Sequence, residues 1–295
     1  MERNFIMSCE STIDLDYYYI TNRNVSIINY TYAIDGEIFI DDMNKDQNKI
    51  DEFFELLKMG KMPSTSQINK YQYIEYFTSL LKQGKDVFHL VFGSGMTPSI
   101  KNALEAKEEV LKNFPNRRLE VIDSTCSSGG YGLLLDYCVD LFDEGKTIEE
   151  IVDFVENNKR NVQHQFFATD LKFFKRSGRV SWASASIGTI LGICPIMRLN
   201  YDGKIVAYSK VRGKKKALLE TYKVMESKAK DGLNYTGKCF ISHSNAYSDA
   251  LLLKQMVEAN FKNIEVKITQ IGRIISSHCG PGTVALFFLG EERIK

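Results

Sequence analysis

The chain has 295 residues, of which 44% are apolar and 25% charged, and its 38 basic and 37 acidic residues leave a formal net charge of +1. That balance excludes a global field for nucleic acid or an anionic bilayer, while the apolar share can bury a sizeable interior. Two domains are the expectation at this length, and with no apolar run approaching a membrane span and acidic residues where a signal peptide needs an apolar stretch, a cytoplasmic protein is expected.

The six cysteines, Cys9, Cys126, Cys138, Cys194, Cys239 and Cys279, form no C-x-x-C pair, which suits reduced thiols. His89, His164, His243 and His278 lack metal-ligand spacing, so neither a metal nor a cofactor is expected.

Strand-like and helix-like runs alternate from the start. "FIMSC" (5–9) is strand-like and "DLDYYYITN" helix-like, while "VSIINYTYAI" (25–34), "DVFHLVFG" (86–93) and "RLEVIDS" (118–124) read as strands. Between them, Tyr71, Ile74, Phe77 and Leu81 share one face of a helix over 68–83. A second helix over 98–113 opens with Pro98 behind Thr97, a good N-cap. This alternation predicts a mainly parallel sheet with helices on both faces. The texture changes at "NNKRN", which places a boundary at 161/162. Beyond it, Asp202-Gly203 marks the turn of a hairpin over 195–211. Strand-like "GKCFISHS", "NIEVKITQIG" and "TVALFFLG", with helix-like 214–230 and 246–260, complete a mixed sheet covered by helices.

Hydroxyls gather after the strands of the first half: Ser11 and Thr12, then "SGMTPS", then "DSTCSSGG". In a parallel α/β sheet such loops line the carboxyl edge, where ligands bind. Thr65 or Ser66 would cap the 68–83 helix, and with Thr97 they could set two helix N-termini around an anion. Plain capping accounts for each hydroxyl singly. There is no G-x-S-x-G elbow, no P-loop lysine and no dinucleotide fingerprint. His278 and Cys279 are neighbours, and in a strand they would point to opposite faces. Lys and Arg are absent from these loops, which suits a single carboxylate better than a triphosphate.

Together these segments resemble the DegV family over nearly the whole chain. "ESTIDL" (10–15) is similar to its opening D-S-T-x-D-L, with Glu10 in place of the aspartate, and "STSQ" (64–67) to its T-S-Q motif. "GSGMTPSIKNA" (93–103) resembles its serine-rich S-G-T segment, with Thr97 where a serine is usual. "IDSTCSSGGYG", "FFKRSGRVS", "KVRGKKKAL" and "HCGPGTVALFF" follow in the family's order. The resemblance implies a two-domain α/β fold, 1–161 carrying carboxylate-binding loops and 162–295 holding an acyl chain. It implies one long-chain fatty acid in a buried tunnel, presented to a separate ATP-dependent fatty-acid kinase, with a place in phospholipid metabolism and only transient contact with a membrane surface. Carried over by motif, Thr65, Ser66, Thr97 and His278 would hold the carboxylate. Ile187, Ile190, Leu191 and Phe287 would wall the tail, and Arg179 and Arg212 would face the kinase. Two alternatives stay open: a hydrolase or acyltransferase using Ser124 or Thr97 with His278, and a lipid-sensing module without a kinase.

Overall fold

The computed structural model describes residues 4–182 and 192–295. The 183–191 stretch, which includes Ile187, Ile190 and Leu191, lies outside the described residues.

The first half builds two sheets. Strands β1 (Phe5–Glu10), β2 (Ser26–Ile28), β6 (Asp86–Val91) and β7 (Leu119–Asp123) form a parallel sheet in the order β2-β1-β6-β7. Strands β3 (Thr31–Ile34), β4 (Glu37–Ile40) and β5 (Ser64–Ser66) form a small antiparallel sheet in the order β4-β3-β5. The run at 25–34 is therefore two strands in two sheets. The chain breaks at Asn29 and Tyr30, where Asn29 Nδ2 donates to the Asp41 carbonyl at 2.8 Å. A continuous β-branched and aromatic run carries no local mark of such a change of partner.

From Val162 onward the strands β8 (Val162–Ala168), β9 (Val180–Trp182), β10 (Ile193–Leu199), β11 (Ile205–Arg212), β12 (Lys238–Ser244), β13 (Glu265–Gln270) and β14 (Thr283–Leu289) make one seven-stranded mixed sheet. Its order is β13-β12-β14-β8-β10-β11-β9. The hairpin of β10 and β11 has the expected antiparallel pairing, Leu199 opposite Ile205.

Helices α1 (Tyr17–Thr21), α2 (Gln47–Lys58), α3 (Lys70–Leu81), α4 (Ser99–Leu111), α5 (Ser128–Asp143), α6 (Ile148–Asn158), α7 (Lys172–Ser177), α8 (Lys214–Lys228), α9 (Tyr247–Asn260) and α10 (Arg273–Cys279) fill the layers. Helix α5 packs between the two large sheets and is apolar on most of its circumference, as a helix without a solvent face must be. Gly129 and Gly130 permit this approach, because a Cβ there would meet Ser242, Phe287 and His164. The core around α5 joins Met7 and Leu90 of the first half to Phe240 and Phe287 of the second. A second core packs α3 and α4 on the other face of the parallel sheet, and a third packs α8 and α9 on the far face of the mixed sheet.

Two capping expectations are corrected. Helix α3 is capped by Asn69, whose side chain accepts from the Gln72 N–H at 3.0 Å while Gln72 returns the bond in a capping box. Thr65 and Ser66 are strand residues of β5 instead. Pro98, not Thr97, is the N-cap residue of α4. His278 and Cys279 lie in a helix, so the opposite-faces argument drawn from a strand does not apply to them.

Candidate functional site

A cavity of about 340 Å³ opens where the parallel sheet ends against α7 and α10 of the second half. Three of the four residues expected to meet a carboxylate line it: Thr65, Thr97 and His278. Each arrives by a different route. Thr65 sits on β5, held in register opposite Tyr32; Thr97 lies in the turn before α4; His278 is on the last turn of α10. Thr65 Oγ1 and His278 Nε2 are 2.7 Å apart, a hydrogen bond between the two halves. Ser66 is exposed and does not line the cavity, because alternate residues of a strand face opposite ways.

Burial pushes His278 down to about 4, and the Arg179 and Arg176 guanidiniums add to the effect. At neutral pH the ring is uncharged, with one N–H to donate. Arg179 is exposed and lines the same cavity, its Nη1 donating to the Ser177 carbonyl at 2.5 Å. Arg176 Nη1 donates to the Met62 carbonyl at 3.1 Å, pinning α7 to the segment that leads into β5. These cations come from "FFKRSGRVS", outside the hydroxyl loops, and no spacing in the chain announces their convergence. Arg212 is exposed at the end of β11 and does not line the cavity.

The polar end passes into an apolar interior. Ser127, Phe174, Ile205, Ile275 and Cys279 line both this cavity and an adjoining recess of about 50 Å³. The recess is walled further by Phe166, Ala285 and the buried ring of Phe287, which stands edge-on to His164 at 5.2 Å. Ile274, Ile275, His278 and Cys279 share an i, i+3, i+4 relation on α10, a helical signal that the short "RIISSHC" segment hides. Burial raises the Cys279 thiol to about 12, which leaves it a packing residue.

Behind Thr97 sits a buried polar network. The Glu10 carboxylate accepts from Phe92 N–H at 3.0 Å, from Tyr30 Oη at 3.1 Å and from Tyr73 Oη. Tyr30 lines the cavity and is 3.1 Å from Ser99 Oγ at the start of α4. Burial raises Glu10 to about 7 in spite of these donors. Ser124 is buried, and its Oγ accepts from the Cys126 N–H at 3.1 Å; it lines neither the cavity nor the recess. A Ser124–His278 pair is therefore not formed.

Asp14 and Arg273 tie the halves beside the site. Asp14 accepts from Gly272 N–H at 2.8 Å and from Ser128 Oγ, and the nearly buried Arg273 pairs with Asp42 at 2.5 Å. No group of metal-ligating side chains was found among the described residues, and no helix among them is long and apolar enough to cross a membrane.

The model of a family described as "Uncharacterised protein, DegV family" matches residues 7–291. A DegV domain-containing protein of Clostridium perfringens is 32% identical over 291 residues, 99% of each chain. Among solved structures, a DegV lipid-binding protein of Thermotoga maritima superposes with a TM-score of 0.85 at 20% identity, covering 98% of this chain and 99% of that one. A DegV family protein of Thermus thermophilus, described by its fatty-acid binding, gives 0.85 at 24% identity, covering 98% and 100%. At these identities the two solved structures speak for the fold.

Proposed function

The chain belongs to the DegV family, and from that premise we propose that it binds one long-chain fatty acid and presents the carboxylate to a separate ATP-dependent fatty-acid kinase, which makes the acyl phosphate. Residues 1–161 supply the head-group loops and 162–295 the acyl chamber. The observation that carries this reading is the Thr65–His278 hydrogen bond at the polar end of a cavity that continues into an apolar recess at Phe287. The Thermotoga and Thermus relatives, described as lipid- and fatty-acid-binding, support the choice of ligand.

The energetics suit that ligand. Burial of about 0.8 kcal/mol per CH₂ gives fourteen methylenes on the order of 11 kcal/mol. Association costs of about 4 kcal/mol and upward leave tight binding from the tail alone. The head group then needs only to keep its hydrogen bonds as it leaves water. In this reading the Thr97 hydroxyl donates to the carboxylate, as does the Thr65–His278 pair, whose mutual bond takes one of its two protons and leaves the other for the ligand. Such donors satisfy its lone pairs without the clamp of a bidentate guanidinium, so one oxygen stays free to attack a γ-phosphate. Arg179 at the rim draws in both the carboxylate and the incoming phosphate, and Arg212 belongs to the kinase-facing surface.

A hydroxyl bonded to an imidazole also invites a hydrolase reading, with Thr65 rather than Ser124 as nucleophile. The surroundings oppose it. A general base must accept a proton, and burial, with the Arg179 and Arg176 guanidiniums adding to it, holds the His278 ring's affinity for protons down. The protein is read as a carrier without turnover of its own.

Denaturing mass spectrometry of organic extracts from the purified protein should show a long-chain fatty acid. Acyl phosphate should form only when kinase, ATP and this protein are combined. Turnover of acyl esters by the protein alone would overturn the carrier reading, and failure of any fatty acid to co-purify or bind would overturn the ligand.

A further inference from the structure

A second pocket, of about 90 Å³, lies on the other face of the mixed sheet from the recess. Along β8, His164 and Phe166 line the recess, while the alternate residues Gln163 and Gln165 line this pocket. Arg198 of β10, Tyr208 of β11 and Arg293 of the C-terminal segment complete its polar wall. Arg293 is 3% exposed, yet its Nη1 and Nη2 are spent on neutral acceptors: the Thr125 carbonyl at 2.9 Å, Thr125 Oγ1 at 2.7 Å and the Lys159 carbonyl at 3.2 Å. The buried Nε atoms of Arg198 and Arg293 have no acceptor among the described residues. Arg198 is fixed in place over the Tyr208 ring at 4.6 Å, and Tyr208 Oη donates to Gln165 Oε1 at 3.0 Å.

The charges do not balance within the protein. Arg160, stacked on Tyr201 at 4.2 Å, adds a third guanidinium whose charge reaches Arg293. The acids beside the pocket are Glu291, already engaged by Lys228 at 2.5 Å, and Glu292. The charge of Asp123, whose Oδ1 accepts from the Ser94 and Thr125 N–H groups, also reaches Arg293. The carboxyl end of α8 also meets the pocket and opposes an anion. Its last turn is partly satisfied, since the Met225 carbonyl accepts from Ala229 N–H at 2.9 Å and the Lys228 carbonyl from Glu291 N–H at 3.0 Å. Guanidiniums out of water need an anion or an acceptor for each N–H, and a planar fork matches an oxyanion best. The volume has room for several water-sized groups but is far below the roughly 300 Å³ at which pockets for larger ligands begin.

We propose that Arg198 and Arg293, with Gln163 and Gln165 beside them, hold a small oxyanion of phosphate size in this pocket. The site shares only Leu199 with the acyl recess and does not depend on the identity of the lipid. Free phosphate and the terminal phosphate of a small ester share this chemistry, and methyl phosphate set beside inorganic phosphate distinguishes them; either as the tighter ligand upholds the site.

The test is isothermal titration of the full chain with inorganic phosphate at ionic strength held constant with chloride. Saturable one-site binding is expected, weakened at least tenfold by Arg198→Met, with palmitate affinity unchanged in that variant. Should Arg198→Met fail to fold by circular dichroism, Arg198→Gln is held to the same criterion. An absence of saturable heat in the wild type, or an unchanged phosphate affinity in the folded Arg198 variant, overturns the proposal.

Discussion

Thr65 and His278 are 213 positions apart, and a 2.7 Å hydrogen bond joins them at the cavity. If their hydroxyl and imidazole, with Thr97, serve the head group alone, then Thr97→Ala and His278→Ala should each lower the rate of acyl-phosphate formation at least tenfold. Palmitate affinity should fall by a smaller factor than transfer does, because the buried tail supplies most of the binding. Equal losses of transfer and affinity would show that these residues hold the chain as well. The gathering of hydroxyls after the strands already pointed to Thr65 and Thr97 converging, but His278 joined them only through motif resemblance, since nothing in a histidine before Gly-Pro-Gly marks it as their neighbour. Arg176 went unread for the same reason, and Arg179, expected by resemblance to face the kinase, also lines the cavity. Their role near His278 arises from the packing of α7, not from their own sequence context.

Titration at the residue scale gives a second prediction. His278 is pushed down to about 4, so its contribution to stability is complete above its unfolded value near 6.5 and is lost as pH falls through 4. Glu10, raised to about 7, acts in the opposite sense: its contribution is complete below its unfolded value near 4.5 and is lost as pH rises through 7. The two slopes oppose each other between pH 5 and 6.5. Asp14 and Asp41, raised to about 7 and about 6 by burial, act in the same sense as Glu10, and the other buried histidines in the sense of His278. Removing one opposing carboxyl with Glu10→Gln should therefore make the melting temperature of the variant drop more than that of the wild type between pH 6.5 and 5. A parallel drop in both proteins would contradict the assignment of Glu10.

Among the elements, the β10–β11 hairpin shows what local signals convey. Asp202-Gly203 announced the turn, and Gly203 adopts φ +74°, a conformation that few L side chains tolerate. What the dipeptide could not convey is the docking of the turn: a Cβ on Gly203 would lie 2.8 Å from the Thr125 carbonyl oxygen, and one on Gly95 would meet the Gly203 backbone. The hairpin thus braces the loop that carries Thr97. Gly203→Ala should destabilise the protein by about 2–4 kcal/mol in urea unfolding, combining left-handed strain with overpacking. Gly36→Ala, at φ +89° with open space around it, should cost only the strain, about 1 kcal/mol. Equal costs at the two sites would remove the packing contribution. Helix α3 teaches the converse. Its apolar face was legible only in part: Phe77 and Leu81 are buried as expected, but Tyr71 is exposed and Tyr73 and Leu80 complete the buried face. The expected caps Thr65 and Ser66 are taken by β5, and Asn69 caps the helix instead.

At the scale of the whole molecule, the alternation of strands and helices forecast a parallel first sheet and a mixed second one, because each sheet must cover its faces with helices. The small β3–β4–β5 sheet was not legible, since its strands are short and its hairpin breaks a run that looks continuous. Nor could the sandwiching of α5 between the sheets be read, although its near-continuous apolar surface and its glycines are the features that make it possible. On this architecture the polar end of the cavity lies at the junction of the halves and Arg212 stands on the exposed surface away from it. Arg212→Ala should therefore leave palmitate affinity unchanged while lowering kinase-dependent transfer severalfold; unchanged transfer would remove Arg212 from the docking surface.

A crystal structure of the protein with palmitate tests the central claim most directly. The account predicts one acyl chain with its carboxylate oxygens within hydrogen-bond distance of Thr65, Thr97 and His278, and its methylenes running past Ile275 toward Phe287. Density for the chain elsewhere, or a carboxylate held by an arginine with those three side chains unengaged, would contradict it.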